Sequence, residues 1–154
     1  MGNGATQKSK WAAYLGGLSV ILSLLLVAWE IRENTLALSA QAMQELNNMA
    51  NETLLIGAEN ERLAEILVKG DSDLSSLSEV EYRQYWYYHY GLINTLDAAH
   101  GFYARGILDE ADYSGWRVYT CEYLAEPSVR SIWKKEKDTF GVSFTGFVER
   151  ECGL

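Results

Sequence analysis

Between Lys10 and Glu30 the chain carries no charge, an interval of 19 residues (11 to 29). As a helix, that stretch rises roughly 28 Å, close to the ~30 Å hydrocarbon core of a bilayer. Trp11 and Tyr14 stand at one end and Trp29 at the other, where indole and phenol rings favour the membrane–water boundary. Core helices of globular proteins rarely run this far uncharged, which sets aside a buried core helix. The run is also longer than the ~7–15 apolar residues of a cleaved leader, and the nearest small-x-small site, Ala40-Gln41-Ala42, lies well beyond it. The sequence therefore predicts an uncleaved transmembrane helix over 11–29, preceded by a short polar tail over 1–10 and followed by a helical domain over 30–154. Lys8 and Lys10 precede the span, and Arg32 alone follows closely. The positive-inside rule then puts the tail in the cytoplasm and the domain outside. Met1-Gly2-Asn3-Gly4-Ala5-Thr6 matches the loose myristoylation pattern, a match too short to carry weight.

Small residues mark one stripe of this helix. Ala12, Gly16, Ser19 and Ser23 are spaced 4, 3 and 4 apart, and Ala13 and Gly17 widen the stripe. Small side chains let two helix backbones approach closely in lipid, so the expectation is a homodimer through the membrane helix.

No Gly or Pro interrupts residues 18–56. Ile31, Thr35, Leu38, Ala42, Leu46, Met49, Thr53 and Ile56 recur at about the helical period, which predicts that the first helix continues until Gly57 stops it. A second helix fits 60–68, ahead of the polar turn Gly70-Asp71-Ser72-Asp73. Ser78 and Glu81 form a capping box. Behind it Tyr82, Tyr85, His89, Leu92, Leu96, Ala99 and Tyr103 make one seam of a third helix ending at Gly106. Leu108-Asp109 opens a fourth, to about Ala125. Glu126-Pro127 stops that helix and starts a fifth, because proline suits a first turn. Phe140-Gly141 breaks the fifth, and Ser143 is read as the cap of a short last helix with Phe144, Phe147 and Val148. No segment alternates with period two, so the expected class is all-α, a small antiparallel helical bundle.

The most unusual chemistry is the aromatic run Tyr85-Trp86-Tyr87-Tyr88-His89-Tyr90. Successive helical residues point about 100° apart, so these rings surround the helix. Some of them must face a core, and others a partner or a ligand. Tyr85, Trp86, His89 and Tyr90, served by Asp97 and His100, are the candidate pocket or interface residues. His89 and His100 are the two histidines of the chain. Eleven helical residues separate them by about 16 Å along the axis, so they cannot share one metal. Glu-x-x-His, the motif of helical di-metal bundles, does not occur, and no metal or cofactor is expected. Cys121 and Cys152 form no Cys-x-x-Cys motif. Two readings stay open for them: a disulfide tying the last helix to the fourth, or free inert thiols. Phosphate loops, dinucleotide fingerprints, nucleophile elbows and metalloprotease helices are absent, so no catalytic residue is named. From Glu30 onward 21 acids face 11 bases. That balance repels phosphate and argues against nucleic acid as a partner.

Four phrases carry a resemblance: EIRENTLALSAQAMQEL at 30–46, SLSEVEYRQYWYY at 76–88, GILDEADYSGW at 106–116 and PSVRSIWKKEKDTFGVSFTGFVE at 127–149. The chain resembles a group of short bacterial membrane proteins of uncharacterised function, each pairing one N-terminal span with a helical domain. The resemblance implies a bacterial inner membrane and supplies no activity. The leading expectation is a membrane-anchored, non-enzymatic helical interaction or accessory module, sensor-like, with the bilayer and an unidentified protein as partners. The alternative is a small ligand-binding or enzymatic bundle with an aromatic, His-lined pocket.

Overall fold

The computed structural model describes the backbone of residues 3–154 and the side chains of Tyr14 and of 16–154. Every regular element among them is helical: α1 (Asn3–Glu59), α2 (Glu61–Ser72), α3 (Glu79–Ala104), α4 (Glu110–Ala125), α5 (Pro127–Glu136) and α6 (Val142–Phe147). Short 3-10 turns at Leu74–Ser76 and Lys137–Thr139 and a π turn at Val148–Cys152 complete the order. The chain divides into two compact units, Met1–Leu38 and Ser39–Leu154.

In the first unit the described apolar side chains are exposed, Leu18, Ile21, Leu25, Trp29 and Ile31 among them. The hydroxyls of Ser19 and Ser23 donate to Gly16 O (2.8 Å) and Ser19 O (2.9 Å) on their own helix. The membrane expectation is corrected here. Among the described residues, no helix is long and apolar enough to cross a membrane. The uncharged stretch ends at Trp29. Glu30, Arg32 and Glu33 charge the next turn. The transmembrane helix over 11–29 and the single-pass placement in a bacterial inner membrane are therefore not retained. The side chains of Trp11 and Ala12, and the polar tail with Lys8 and Lys10, lie outside the described residues.

The second unit is a helical bundle, and its starts follow cap chemistry. Asn60 Oδ1 accepts from Leu63 N at 3.0 Å. Ser78 and Glu81 complete both halves of the box, Glu81 N to Ser78 Oγ at 3.4 Å and Ser78 N to Glu81 Oε2 at 2.9 Å. Asp109 caps α4 through Asp112 N at 2.9 Å, and Pro127 opens α5. Each such cap satisfies a backbone donor the helix leaves bare and is worth about 1 kcal/mol. Glu81 also receives Arg62 (2.8 Å) and Lys69 (2.9 Å), joining α2 to α3. The Ser78 backbone, then Lys69, holds the Glu81 carboxyl at about 2.

Three boundaries differ from expectation. α1 continues through Gly57, which is buried under Tyr88: a Cβ there would stand 3.0 Å from the Tyr88 ring. α2 runs on to Ser72 because Gly70 leaves the space that the Tyr85 ring occupies. α6 takes Gly141 as its N-cap, so Ser143 sits inside the helix and does not cap it.

The larger core gathers Ile66, Tyr85, Ile93, Leu96, Leu124, Ile132, Trp133 and Phe144 from five helices. A smaller one joins Ala42 and Leu46 of α1 to Ala99, Leu108 and Tyr113. Within this unit the α1 stripe buries only those two residues, and Ile56 at its end is exposed. Of the two cysteine readings the structure takes the disulfide, Cys121 to Cys152, Cα–Cα 5.1 Å. It fastens the C-terminal turn to α4.

Candidate functional site

The seam of α3 meets α4 through two histidine–tyrosine pairs. His89 Nδ1 lies 2.6 Å from Tyr123 Oη, and His100 Nδ1 lies 3.0 Å from Tyr113 Oη. Eleven residues on α3 are answered by ten on α4, as antiparallel helices in contact require. Tyr113 is buried and Tyr123 half-buried. Their hydroxyls gain a role because a buried phenol needs a hydrogen-bond partner.

The six sequence candidates fall into three places. Tyr85 and His89 belong to a sealed cluster. Tyr85 is fully buried and its hydroxyl donates to Asp71 Oδ1 at 2.7 Å. Its ring centroid is 4.1 Å from that of His89. His89 Nε2 is buried without a hydrogen-bond partner among the described residues, 4.0 Å from Asp71 Oδ1. Burial holds the His89 imidazole at about 4, with Asp71 acting in the opposite direction. Burial likewise raises the Tyr85 and Tyr123 hydroxyls above the ordinary phenol range, so these three rings are neutral at pH 7. Asp71, read from the sequence as a turn residue, joins the cluster because α2 extends past Gly70.

Trp86 and Tyr90, one helical turn apart, stack at 4.7 Å on another face of α3. The Tyr90 hydroxyl meets Thr139 Oγ1 at 3.1 Å, and its ring packs on Phe140. Trp86 lines a surface cleft of about 440 Å³ with Tyr82, Arg83 and Lys135.

Asp97 and His100 reach a third place, a cleft of about 510 Å³ between α3 and the start of α6, which also carries Asn94, Arg105 and Ser143. Asp97 Oδ2 accepts from Gly141 N at 3.0 Å. A Cβ at Gly141 would stand 2.9 Å from Asp97 Oδ1, so glycine permits this approach. His100 is buried, yet its Nε2 emerges 2.9 Å from Oγ of exposed Ser143. The Phe147 ring stacks on its other side at 4.9 Å. Burial holds the His100 pKa below its ordinary value. Asp97 and the Ser143 backbone act upward, and Arg150 acts downward. Burial sends the Tyr113 hydroxyl up to about 12. Arg105 makes no ion pair among the described residues; its guanidinium lies 5.4 Å from the Phe102 ring centroid.

Two further clefts, of about 380 and 370 Å³, flank residues 47–56 of α1 and are mainly apolar, with Tyr88 on one and Trp116 on the other. Tyr85, His89 and Tyr123 line none of these four clefts. Among the described residues no three His, Cys, Asp or Glu side chains gather as a metal site requires.

Of the proposed self-association stripe, Gly16, Ser19 and Ser23 lie on the exposed part of α1. The side chain of Ala12 lies outside the described residues.

No family model, no curated protein and no solved structure matches this chain.

Proposed function

We propose that residues 39–154 form a small-molecule-binding helical bundle whose site is the cleft at His100, and that its ligand carries a carboxylate. The observation that carries this reading is a buried histidine whose outer nitrogen meets an exposed hydroxyl on the wall of a 510 Å³ cleft. A guanidinium without an ion pair among the described residues lines the same wall. Its planar fork of N–H donors suits a carboxylate. A cavity of this size with a few convergent polar groups is the usual form of a small-ligand site. Asp97 is already engaged by Gly141 N, which leaves Arg105 as the charge that selects the ligand.

Titration with acetate and with benzoate tests this, followed by amide and imidazole NMR shifts. Saturable shifts centred on Gly101, Arg105 and Ser143, lost in Arg105→Ala, are expected. Shifts centred on the apolar clefts beside Tyr88 or Trp116, or no saturable shift at all, overturn the reading.

A second reading, a helical interaction module acting through a second copy of the chain, is favoured by the exposed apolar side chains from Leu18 to Ile31. Light scattering on the full-length chain tests it. A stable dimer that Leu22→Glu dissolves supports self-association, and a monomer at all concentrations sinks it.

A further inference from the structure

We infer that Ser143 is the nucleophile of an acyl-transfer site that hydrolyses small carboxylic esters, with His100 as its base and Tyr113 as a positioning residue. The inference rests on the reading of the same cleft as a small-carboxylate site. Three observations meet here. Ser143 Oγ lies 2.9 Å from His100 Nε2. His100 Nδ1 lies 3.0 Å from Tyr113 Oη, so a third group orients the base. Ser143 is exposed on the cleft wall, while His100 and Tyr113 are buried behind it. A serine hydroxyl at pH 7 is a poor nucleophile until an adjacent base takes its proton, and a base is most useful when a further hydrogen bond fixes its ring.

The tautomer decides whether the arrangement works. With the proton on Nδ1, donated to Tyr113 Oη, Nε2 accepts from the Ser143 hydroxyl and serves as base. With the proton on Nε2, the imidazole donates toward Ser143 and cannot serve. Burial favours a neutral ring at pH 7, and a neutral ring is what a base requires. Tyr113 stays protonated, so it orients the ring without neutralising the imidazolium, and the pair is weaker than one backed by a carboxylate. Asp97 acts upward on His100 from the same cleft.

The reaction balances as ester plus water giving acid plus alcohol. Ser143 Oγ forms a bond to the carbonyl carbon while its proton passes to His100 Nε2. The bond from that carbon to the alkoxy oxygen then breaks, and His100 returns the proton to the departing alcohol. Water attacks the acyl-serine with His100 again accepting a proton. The Oγ–carbon bond breaks, His100 returns the proton to Ser143 Oγ, and the carboxylic acid so formed loses its own proton to solvent, leaving a carboxylate in the cleft beside Arg105. Asn94 and Arg105 are the cleft's side-chain donors for the oxyanion that forms in between.

The test uses the full-length chain, p-nitrophenyl acetate and a fluorophosphonate probe, with peptide mapping by mass spectrometry. A single stoichiometric fluorophosphonate adduct on Ser143 is expected, together with release of p-nitrophenol. Both disappear in Ser143→Ala, whose exposed site leaves folding intact. In His100→Gln the labelling rate falls at least about 100-fold, the usual contribution of a general base. Tyr113→Phe still labels, but its rate–pH profile moves, as expected of a residue acting through His100. Labelling elsewhere, absence of labelling, or an unchanged rate in a folded His100→Gln overturns the inference. Acetate titration of Ser143→Ala separates the two readings. Acetate binding without any adduct in the unaltered chain sinks the nucleophile and keeps the carboxylate cleft. An adduct on Ser143 without acetate binding does the reverse.

Discussion

The two histidine–tyrosine pairs use the same residue types on the same two helices and differ in what stands at the far ring nitrogen. At His89 that nitrogen is sealed from solvent, without a hydrogen-bond partner among the described residues and 4.0 Å from Asp71. At His100 it meets an exposed serine in an open cleft. Burial lowers both imidazoles, so a shifted histidine alone does not mark a site. What separates the pairs is access: a ligand can reach Ser143, and no described cleft reaches His89.

The largest expected effect concerns what holds the open pair in place. The Cys121–Cys152 bond joins α4, which carries both tyrosines, to the turn after Phe147, which covers His100. Closing a loop of about 31 residues restricts the unfolded chain by about 3–4 kcal/mol. Reduction of the bond, or the double variant Cys121→Ser/Cys152→Ser, is expected to lower the urea-unfolding free energy by that order. Hydrogen exchange should rise more around His100 than around His89. A uniform rise would mean that the bond clamps the whole bundle and does not favour one pair.

Acid should act on the sealed pair. Asp71 on α2, Tyr85 and Tyr88 on α3 and Tyr123 on α4 surround His89. Its pKa is about 4 in the folded chain against an ordinary 6.5. Between those values the unfolded state binds more protons, so stability is fully present above pH 6.5 and is lost as pH falls toward 4. The loss from this group is roughly 3 kcal/mol. Urea titrations at pH 7 and 4.5 check it, and His89→Leu should flatten the slope. Glu81 has the same sign but acts lower, between its ordinary 4.5 and about 2.

Removing each tyrosine hydroxyl while keeping its ring isolates the two bonds. Tyr123→Phe strands a second buried nitrogen of His89 and should cost about 1–2 kcal/mol. Tyr113→Phe keeps the Tyr103 stacking and leaves His100 bonded to Ser143, so a smaller loss is expected. Equal losses by thermal melts would remove the distinction between sealed and open.

Much of this arrangement can be read from the residues. Period 3.6 put Tyr85, His89, Leu92, Leu96 and Ala99 on one seam, and all five are buried. The Ser78–Glu81 box, Asp109 and Pro127 marked three helix starts because cap chemistry is local. The same period places Trp86 and Tyr90 on a different face from Tyr85 and His89, so one pocket cannot take all four rings from a single side. The contacts that define the cleft were not legible. Ser143 lies 43 residues from His100 in sequence, and a serine just before Phe144, Phe147 and Val148 looks like a cap. It is displaced from that role because Gly141, drawn to Asp97, takes the N-cap position itself. Asp71 was obscured by Gly70, which suggests a turn by composition. Gly70 instead stays helical so that the Tyr85 ring can lie against it.

The smallest expected stability change tests the comparison most sharply. Ser143→Ala removes one hydrogen bond at an exposed position, and water in the cleft can take up the His100 nitrogen it releases. The unfolding free energy should therefore stay within about 0.5 kcal/mol of the unaltered chain. The imidazole should respond instead, because the hydroxyl that favours a lone pair on Nε2 is gone. Side-chain nitrogen shifts of His100 should move toward the other tautomer while those of His89 stay fixed. A loss of 2 kcal/mol or more would mean that Ser143 is a structural tie between α3 and α6. Both pairs would then serve packing, and the difference in access would carry no chemistry.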